Sequence, residues 1–259
     1  MTTGGGERRV DVLGVHVSVL TMSSALASIG SAIETGMSGY VCVTGVHGVM
    51  ESQRDASLKR IHNHSLLTTP DGVPMVWCGR WAGAKEMERV YGPDLMLAVL
   101  ERAATEGWTS YFYGGGAGVA EALAATMICR FPGLHVVGTH CPPFRPLTAE
   151  EDAAVVEEIR RLSPDLIWVG LSTPKQERWM AEHLRRFDRG VLLGVGAAFD
   201  LNAGLLRQAP RLMQRLGLEW LFRLIVEPGR LWRRYLSNNP AFVLAILRRR
   251  PRLLTPGEG

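Results

Sequence analysis

Short runs of apolar and β-branched residues alternate with helix-like stretches over most of this chain. This alternation limits the possible folds more than any other feature. Strand-like runs cover residues 40–44, 109–113, 166–169 and 191–195, and stretches such as the amphipathic segment 148–162 lie between them. Such a pattern is typical of parallel sheets whose strands are joined by helices. It predicts an α/β fold with a Rossmann-like, mostly parallel sheet flanked by helices.

The composition changes after residue 204, where arginine becomes frequent. Residues 205–252 contain eleven arginines, no lysine and two acidic residues, a net charge of +9, whereas residues 1–204 carry a net charge of −4. A basic end on a mildly acidic body indicates an anionic partner. We predict a disordered N-terminus at 1–9, an α/β core at 10–204, a helical Arg-rich C-terminal appendage at 205–252 and a tail at 253–259.

Several local signals predict where elements bend or stop. Residues 10–19 are expected to form two strands with a bend at Gly14, and residues 48–63 are expected to form one helix. In the appendage, Pro228 and Pro240 are expected to interrupt the helices, because proline lacks a backbone donor and clashes with the preceding turn.

Cysteine usage and hydropathy argue against several classes of protein. The four cysteines are far apart and form no C-x-x-C pair, so neither a zinc site nor a disulfide framework is expected, and a reducing cytosol fits. We expect no signal peptide, and because no apolar run reaches about 18 residues, no transmembrane helix. The histidines lack metal-ligand spacing, so we also predict no metal site and no cofactor.

Asp71 is the most suggestive single residue. It follows a strand-like run and precedes a glycine and a helix, in the sequence Pro70-Asp71-Gly72. Ligands of parallel sheets bind beyond the carboxyl ends of the strands, where a carboxylate can act as a general base. The same position also suits an N-cap of the next helix. Thr44 and His47 follow another strand and are expected at the same edge.

Two more segments lie at predicted carboxyl ends of strands. Gly114, Gly115 and Gly116 form either a tight turn or a cradle of backbone N–H groups for a phosphate. Their spacing is not a complete dinucleotide fingerprint, which disfavours a nucleotide-dependent oxidoreductase. Lys175 and Gln176 open another helix, either as ordinary residues of a helix start or as ligand contacts.

Arginines of the appendage are interleaved with large apolar residues. Arg223, Arg230 and Arg233 are spaced so that they can share one helical face. Guanidinium groups suit phosphate, and Trp and Tyr suit a membrane interface. The segment therefore indicates an anionic membrane surface or lipid phosphate, a basic helix packed on the core, or nucleic acid.

Six motifs occur in order along nearly the whole chain. They are PDGVPMVW at 70–77, ERVYGPDLM at 88–96, FYGGGAGVAE at 112–121, GLSTPKQERWM at 170–180, GVGAAFDLNAG at 194–204 and QRLGLEWLFRLIVEPGRLWRRYL at 214–236. Together they resemble the WecG/TagA/CpsF family of bacterial glycosyltransferases over roughly residues 10–240.

The resemblance implies an inverting, metal-independent transfer from a UDP-sugar to a saccharide linked to polyprenyl diphosphate. Such reactions build cell-surface polysaccharides, including exopolysaccharide. It also implies a peripheral position on the inner face of the plasma membrane, association with an anionic membrane surface, a homo-oligomer, and no nucleic-acid partner. The alternative is a basic nucleic-acid or membrane binding module without catalysis.

The same resemblance gives roles to individual residues. Asp71 matches the general base, while Thr44 and Arg89 match other residues of the catalytic site. Gln176 matches a substrate contact, and the three arginines named above match residues that hold phosphates. With the strand-end residues and the fifth motif included, the predicted substrate-binding set is His47, Gly114, Gly115, Gly116, Lys175, Gln176, Gly196, Asp200, Arg223, Arg230 and Arg233.

One position departs from the family pattern. The family often has asparagine two residues after the strand-end threonine, whereas this chain has Val46, followed by His47. An asparagine amide can form two hydrogen bonds that valine cannot form. Segment 139–147 is also more similar to exopolysaccharide members with glucose-type donors. We therefore predict a hexose or an N-acetylhexosamine as the transferred sugar, and do not assume N-acetylmannosamine.

Overall fold

The computed structural model describes residues 8–215 and 217–255, without the side chains of residues 215, 230 and 234. Contacts divide the chain into two compact units. The hairpin unit comprises Met1–Met22, Val43–Tyr91 and Gln208–Gly259, and the sheet unit comprises Ser23–Cys42 and Gly92–Arg207. Most of the predicted disordered segment 1–9 lies outside the described residues. The proposed domain boundaries at 204 and 252 stay predictions.

The central sheet has six strands in the order β4-β3-β8-β7-β5-β6. Its strands are β3 (Gly39–Thr44), β4 (Leu67–Pro70), β5 (Thr109–Gly114), β6 (His135–His140), β7 (Leu166–Gly170) and β8 (Val191–Gly194). Pairings of β3 with β8, β8 with β7, β7 with β5 and β5 with β6 are parallel. Gly114 of β5 lies opposite Gly170 of β7, so their carboxyl ends are level. The predicted Rossmann-like α/β class is confirmed.

The helices of the sheet unit precede, separate or follow these strands along the chain. They are α1 (Met22–Glu34), α5 (Gly92–Glu106), α6 (Val119–Arg130), α7 (Ala149–Leu162), α8 (Lys175–His183) and α9 (Ala198–Asn202). Local signals set the bounds of α7: Thr148 and Glu151 form a reciprocal capping box, and Ser163 adopts a left-handed conformation at the end. These signals are why the sequence predicts this helix within one residue.

Aromatic side chains fill the interior of the sheet unit. Tyr111, Phe112, Trp168 and Phe199 are fully buried, and the rings of Phe112 and Phe199 meet edge to face at 5.9 Å. A Cβ placed on Gly170 would lie 2.7 Å from the Phe199 ring. Glycine at this strand end therefore lets α9 pack directly on β7.

The hairpin unit contains a small antiparallel sheet in the order β2-β1-β9. Its strands are β1 (Arg9–Val12), β2 (Val15–Ser18) and β9 (Arg252–Leu253). The predicted bend at Gly14 is confirmed, with positive φ at both Leu13 and Gly14. Its helices are α2 (Val46–Arg54), α3 (Ala56–Asn63), α4 (Val73–Trp81), α10 (Arg211–Arg215), α11 (Glu219–Val226) and α12 (Pro228–Arg248).

The expectation of a single helix over residues 48–63 is wrong. Asp55 separates α2 from α3 with an extended backbone, and its carboxylate accepts hydrogen bonds from the N–H groups of Ser57 and Leu58. Aspartate is among the preferred N-cap residues because it satisfies donors that the first helical turn leaves open. The chain therefore starts a new helix at Ala56.

The boundary expected at Pro228 is confirmed, but the break expected at Pro240 is wrong. Helix α12 continues through Pro240 to Arg248. Beyond the proline, Phe242 and Ile246 are buried in the hydrophobic core of the hairpin unit. Burying each side chain stabilises the fold by about 1.5–3 kcal/mol, which offsets the roughly 3 kcal/mol that an internal proline costs.

Candidate active site

Asp71 lies immediately after β4, beside the end of β3. Its backbone N–H donates to the carbonyl of Thr44 at 3.1 Å, and a Cβ placed on Gly45 would lie 3.9 Å from its Oδ2. The N-cap residue of α4 is Gly72, so the alternative that Asp71 caps this helix is wrong. The half-buried carboxylate therefore lies at the strand edge, one residue before the cap.

Arg89 connects the Asp71 backbone to the C-terminal helices. Its Nε donates to the carbonyl of Asp71 at 2.8 Å, and its Nη2 forms an ion pair with Glu219 of α11. The guanidinium carbon also lies 4.0 Å from the centre of the Tyr91 ring. Both partners of the ion pair are largely buried, with 19% and 14% of their side chains exposed. Arg89 is thus a fixed part of the site.

Tyr91 and Arg223 complete a group of ionisable side chains with Asp71, Arg89 and Glu219, which we call the carboxylate–arginine cluster. Burial raises the pKa of Tyr91, and the charges of Glu219 and Asp71 raise it further. Burial lowers the pKa of Arg223, but Tyr235, Tyr91, Glu219 and Asp71 together raise it above its ordinary value. Tyr91 is therefore neutral and Arg223 cationic at neutral pH.

Thr44 and His47 lie near the start of α2 in the same unit. Thr44 is 1% exposed, and within the described residues its hydroxyl has no hydrogen-bond partner. His47 contacts Asn238 of α12, with 3.1 Å between its Nδ1 and the amide nitrogen, and its Nδ1 lies 3.8 Å from Glu51. The structure therefore connects His47 to the C-terminal helix, while its role in substrate binding stays a prediction.

The expectation that three appendage arginines share one helical face is wrong. Arg223 belongs to α11, whereas Arg230 and Arg233 belong to α12, because the chain bends at Glu227 between the two helices. Arg233 is exposed, with its guanidinium 5.2 Å from the Trp232 ring. The side chain of Arg230 lies outside the described part of the structure. Among the three, the structure therefore places Arg223 in the cluster.

The glycine loop of the sheet unit is shaped by packing between strands. Gly114 has φ +133°, and a Cβ there would lie 2.6 Å from the backbone of Gly170. The N–H of Gly115 donates to the carbonyl of Gly170 at 3.0 Å. These contacts support the tight-turn interpretation for Gly114 and Gly115. Gly116 is less crowded, and phosphate binding by this loop stays a prediction.

Gln176 lies at the start of α8, with its side chain beside the end of β8. It is 3% exposed, and its Nε2 donates to the carbonyl of Gly194 and to Glu177, each at 3.1 Å. Lys175 is exposed. A Cβ on Gly196 would lie 3.2 Å from the Gln176 Oε1. Residues from two sequence motifs therefore meet at one strand end.

The predicted residues thus fall into two groups, one in each unit. The hairpin unit holds Thr44, His47, Asp71, Arg89, Arg223, Arg230 and Arg233. The sheet unit holds Gly114, Gly115, Gly116, Lys175, Gln176, Gly196 and Asp200, and Asp200 lies in the first turn of α9.

Sequence reasoning missed several residues that hold these groups in place. They are Tyr91, Glu177, Glu219, Tyr235 and Asn238. One signal was present for Glu219, which is one of only two acids among eleven arginines in residues 205–252. An isolated acid in a basic segment often has a cationic partner. That its partner is Arg89, however, depends on a contact 130 residues apart.

Comparison with known protein families decides between the alternatives. Residues 10–255 match the model of the glycosyl transferase WecG/TagA/CpsF family. The chain belongs to this family. The resemblance carried by the six ordered motifs is confirmed, and this WecG/TagA/CpsF member is a glycosyltransferase.

Three curated relatives of this glycosyltransferase share one name. The N-acetylglucosaminyldiphosphoundecaprenol N-acetyl-beta-D-mannosaminyltransferase of Bacillus spizizenii is 26% identical over 232 residues, covering 88% of each chain. The Bacillus subtilis protein of that name is 29% identical over 179 residues, covering 69% of this chain and 67% of its own. The Staphylococcus aureus protein is 26% identical over 240 residues, covering 92% of each chain.

Across 8–215 and 217–255, no three His, Cys, Asp or Glu side chains are grouped so that they could hold a metal ion. Within the same ranges, no helix is both long and apolar enough to cross a membrane. Whether the reaction proceeds without a metal or cofactor stays a prediction.

Proposed function

We propose that this glycosyltransferase moves a hexose or an N-acetylhexosamine from a UDP-sugar to a saccharide linked to polyprenyl diphosphate. The transfer inverts the anomeric centre and needs no divalent metal. The names of the relatives support a polyprenyl-diphosphate acceptor, since theirs is N-acetylglucosaminyldiphosphoundecaprenol. Membership of a glycosyltransferase family favours this function over a binding module without catalysis.

The observation that carries the proposal is a strand-end carboxylate held among arginines. Asp71 removes the proton of the acceptor hydroxyl, whose oxygen forms a bond to the anomeric carbon of the sugar. The bond from that carbon to the diphosphate oxygen breaks, and its electron pair leaves with UDP. Guanidinium groups offset the charge that develops on the diphosphate, as a metal ion does in other enzymes.

Asp71 is a better candidate base than Glu219, the other carboxylate of the cluster. Glu219 is already committed to the guanidinium of Arg89 and accepts a hydrogen bond from Tyr91. Carboxylate oxygens that already accept hydrogen bonds from two side chains have fewer lone pairs left for the proton of an acceptor hydroxyl. For Asp71, the structure shows the backbone held by Arg89 and by Thr44, which fixes its position at the strand end.

Family relatives do not decide the donor sugar of this chain. Val46, at the position often occupied by asparagine, begins α2 and packs against the hydrophobic core of the hairpin unit. It provides no hydrogen bond to an N-acetyl group, and His47 next to it contacts Asn238. We therefore keep both a hexose and an N-acetylhexosamine as candidates.

We place the protein peripherally on the inner face of the plasma membrane, as a monomer or a homo-oligomer. Support comes from large apolar side chains exposed on α11 and α12, which are Trp220, Ile225, Val226, Trp232, Leu236, Val243, Leu244 and Leu247. Arginines lie among them, a composition suited to anionic lipid headgroups. Nucleic acid is bound chiefly through basic groups on its phosphates, and so much exposed apolar surface suits a lipid interface better, so we propose no nucleic-acid partner.

The catalytic proposal is tested by measuring UDP release from UDP-glucose, UDP-N-acetylglucosamine and UDP-N-acetylmannosamine with a polyprenyl-diphosphate-linked acceptor. Asp71→Asn is expected to lower turnover by about 10²–10⁴, the usual contribution of a general base, with unchanged thermal stability. Glu88→Gln, an exposed residue nearby in the sequence, is the control and should retain activity. Wild-type turnover in Asp71→Asn would contradict the assignment of the base.

The membrane proposal needs substitutions, because deletion of residues 205–259 would also remove Phe242 and Ile246 from the core. Leu244→Gln with Leu247→Gln changes two exposed residues of α12, and Ile128→Gln is a control on α6 with comparable exposure of 48%. We expect the double variant alone to lose binding to anionic vesicles. Equal binding by all variants, or stronger retention on DNA than on vesicles, would contradict a membrane role.

A further inference from the structure

The side-chain amide of Gln176 has only acceptors around its nitrogen. Nε2 lies 3.1 Å from the backbone carbonyl of Gly194 and 3.1 Å from Oε1 of Glu177. A primary amide nitrogen carries two hydrogens, and these two contacts use both of them. Gln176 therefore has no donor left to offer to a ligand.

The two contacts also fix which way the amide points. A backbone carbonyl can only accept, so turning the amide over would bring its oxygen against the oxygen of Gly194. The chemistry of the neighbours therefore fixes which amide atom faces Gly194 and Glu177. Oε1 is then the group of Gln176 that is left for another partner.

That oxygen is buried and lacks a donor. Within the described residues, Oε1 of Gln176 has no hydrogen-bond partner although the residue is only 3% exposed. An acceptor left in this state is costly, and native proteins rarely keep one without a purpose. Gly196 borders it, since a Cβ there would approach to 3.2 Å, and glycine leaves this side open. Oε1 of Gln176 is therefore a buried acceptor that a donor group of a ligand can approach from the side of Gly196.

The family resemblance already implies that Gln176 contacts the substrate; we infer that it does so as an acceptor, from a hydroxyl or N–H group of the bound UDP-sugar, and that Glu177 is the positioning residue that sets this polarity. The inference rests on the proposed function. Phosphate oxygens are acceptors and do not suit this position, so Gln176 contacts the nucleoside or the sugar. Both carry suitable donors, and both remain candidates for the group that is bound.

Glu177 is suited to positioning because its carboxylate is itself immobilised. It is fully buried in the first turn of α8, and its Oε1 also accepts from the hydroxyl of Thr173 at 2.8 Å. Without this acceptor, the second amide hydrogen of Gln176 would be buried without a partner, and the side chain would favour another orientation. Glutamine at position 177 keeps a carbonyl oxygen able to take the same two hydrogen bonds.

The test measures binding of UDP, UDP-glucose, UDP-N-acetylglucosamine and inorganic pyrophosphate by calorimetry to the full chain. Gln176→Met and Glu177→Ala should weaken binding of a UDP-sugar by about tenfold, since one hydrogen bond is worth up to about that factor, and leave pyrophosphate within about twofold. Glu177→Gln should restore wild-type affinity. Glu182→Ala and Glu182→Gln, at an exposed position of the same helix, are the matched controls.

Each outcome decides one point. Equal weakening of UDP and the UDP-sugars assigns the donor to the nucleoside, and weakening of the UDP-sugars alone assigns it to the sugar. If the variants weaken pyrophosphate binding as strongly as UDP binding, or if Gln176→Met changes no affinity, the inference is overturned. Nucleotide binding by the wild-type protein in the same assay still supports the proposed function. Failure of Glu177→Gln to restore affinity overturns the positioning role. If Glu177→Ala does not fold, Gln176→Met still tests whether this amide contributes to binding, and Glu177→Gln still tests the positioning role. A wild-type protein that binds no UDP overturns both proposals.

Discussion

The ion pair between Arg89 and Glu219 should be strongly coupled, and a double-mutant cycle can measure it. Arg89→Met keeps the aliphatic stem but removes the pair and the 2.8 Å hydrogen bond to the Asp71 carbonyl. A hydrogen bond contributes about 0.5–1.5 kcal/mol, and a largely buried carboxylate left without its cation costs about 1–3 kcal/mol more. We expect the variant to lose about 2–4 kcal/mol of unfolding free energy.

Glu219→Gln removes the charge while keeping the shape, and should cost less than Arg89→Met. The double variant should be more stable than the two single losses predict, by a coupling energy of about 1–3 kcal/mol. Urea unfolding followed by tryptophan fluorescence and by circular dichroism gives all four free energies. The exposed pair Arg145 and Glu151 is the control cycle, for which a much smaller coupling energy is expected because solvent screens the two charges.

A coupling no larger than that of the control would refute the reasoning, because it would mean that solvent screens the Arg89 pair as fully as an exposed one. The cycle also has a functional readout. Since Arg89 holds the Asp71 backbone, Arg89→Met should lower kcat by at least about tenfold, a loss of roughly 1.4 kcal/mol in the transition state. If Arg89→Met changes only KM, then Arg89 contacts the substrate and does not act by positioning Asp71.

Three further predictions concern the fold of the sheet unit, each read by chemical denaturation. Gly114→Ala should cost more than about 3 kcal/mol, because its Cβ would meet the Gly170 backbone at 2.6 Å, whereas Gly36→Ala, with positive φ but open space, should cost about 1 kcal/mol. Thr148→Ala removes the capping box of α7 and should cost about 1 kcal/mol. Burial raises the pKa of Asp152, but hydrogen bonds from Arg186 and His183 bring it below its ordinary value. Asp152→Asn should therefore be less stable than wild type near pH 7, and the difference should shrink as the pH falls below about 4.

Local signals allowed most of the sheet unit to be predicted from sequence. The strand bounds follow from buried β-branched runs, and α7 follows from its capping box and amphipathic period. These signals act over a few residues, so each can be seen in the chain itself. The single helix expected over 48–63 failed for a related reason: Asp55 is a local N-cap signal that an uninterrupted helical pattern concealed.

Features that depend on distant contacts were beyond such reasoning. Pro240 is a helix-breaking signal, and only the burial of Phe242 and Ile246 explains why α12 continues. Strand β9 exists because Leu253 pairs with Val10, which is far away in the sequence. The sequence does not show that Arg89 is the partner of Glu219, because the two residues are 130 positions apart. In the candidate site, motif order identified residues such as Asp71 and Gln176, but their hydrogen-bond partners required the fold.

The appendage shows how a net charge can conceal different roles. Its +9 indicates an anionic partner, yet several arginines already have contacts within the hairpin unit. Arg223 lies in the carboxylate–arginine cluster, and Arg249 and Arg252 lie 2.8 Å and 3.9 Å from the buried carboxylate of Asp11. Arg250 lies 5.7 Å from the Trp81 ring. Because a charge paired within the fold adds little at a surface beyond a Debye length, the charge that faces a membrane is smaller than +9. The membrane attachment proposed above is therefore expected to depend more on the exposed apolar side chains of α12 than on charge, while the paired arginines act within the hairpin unit.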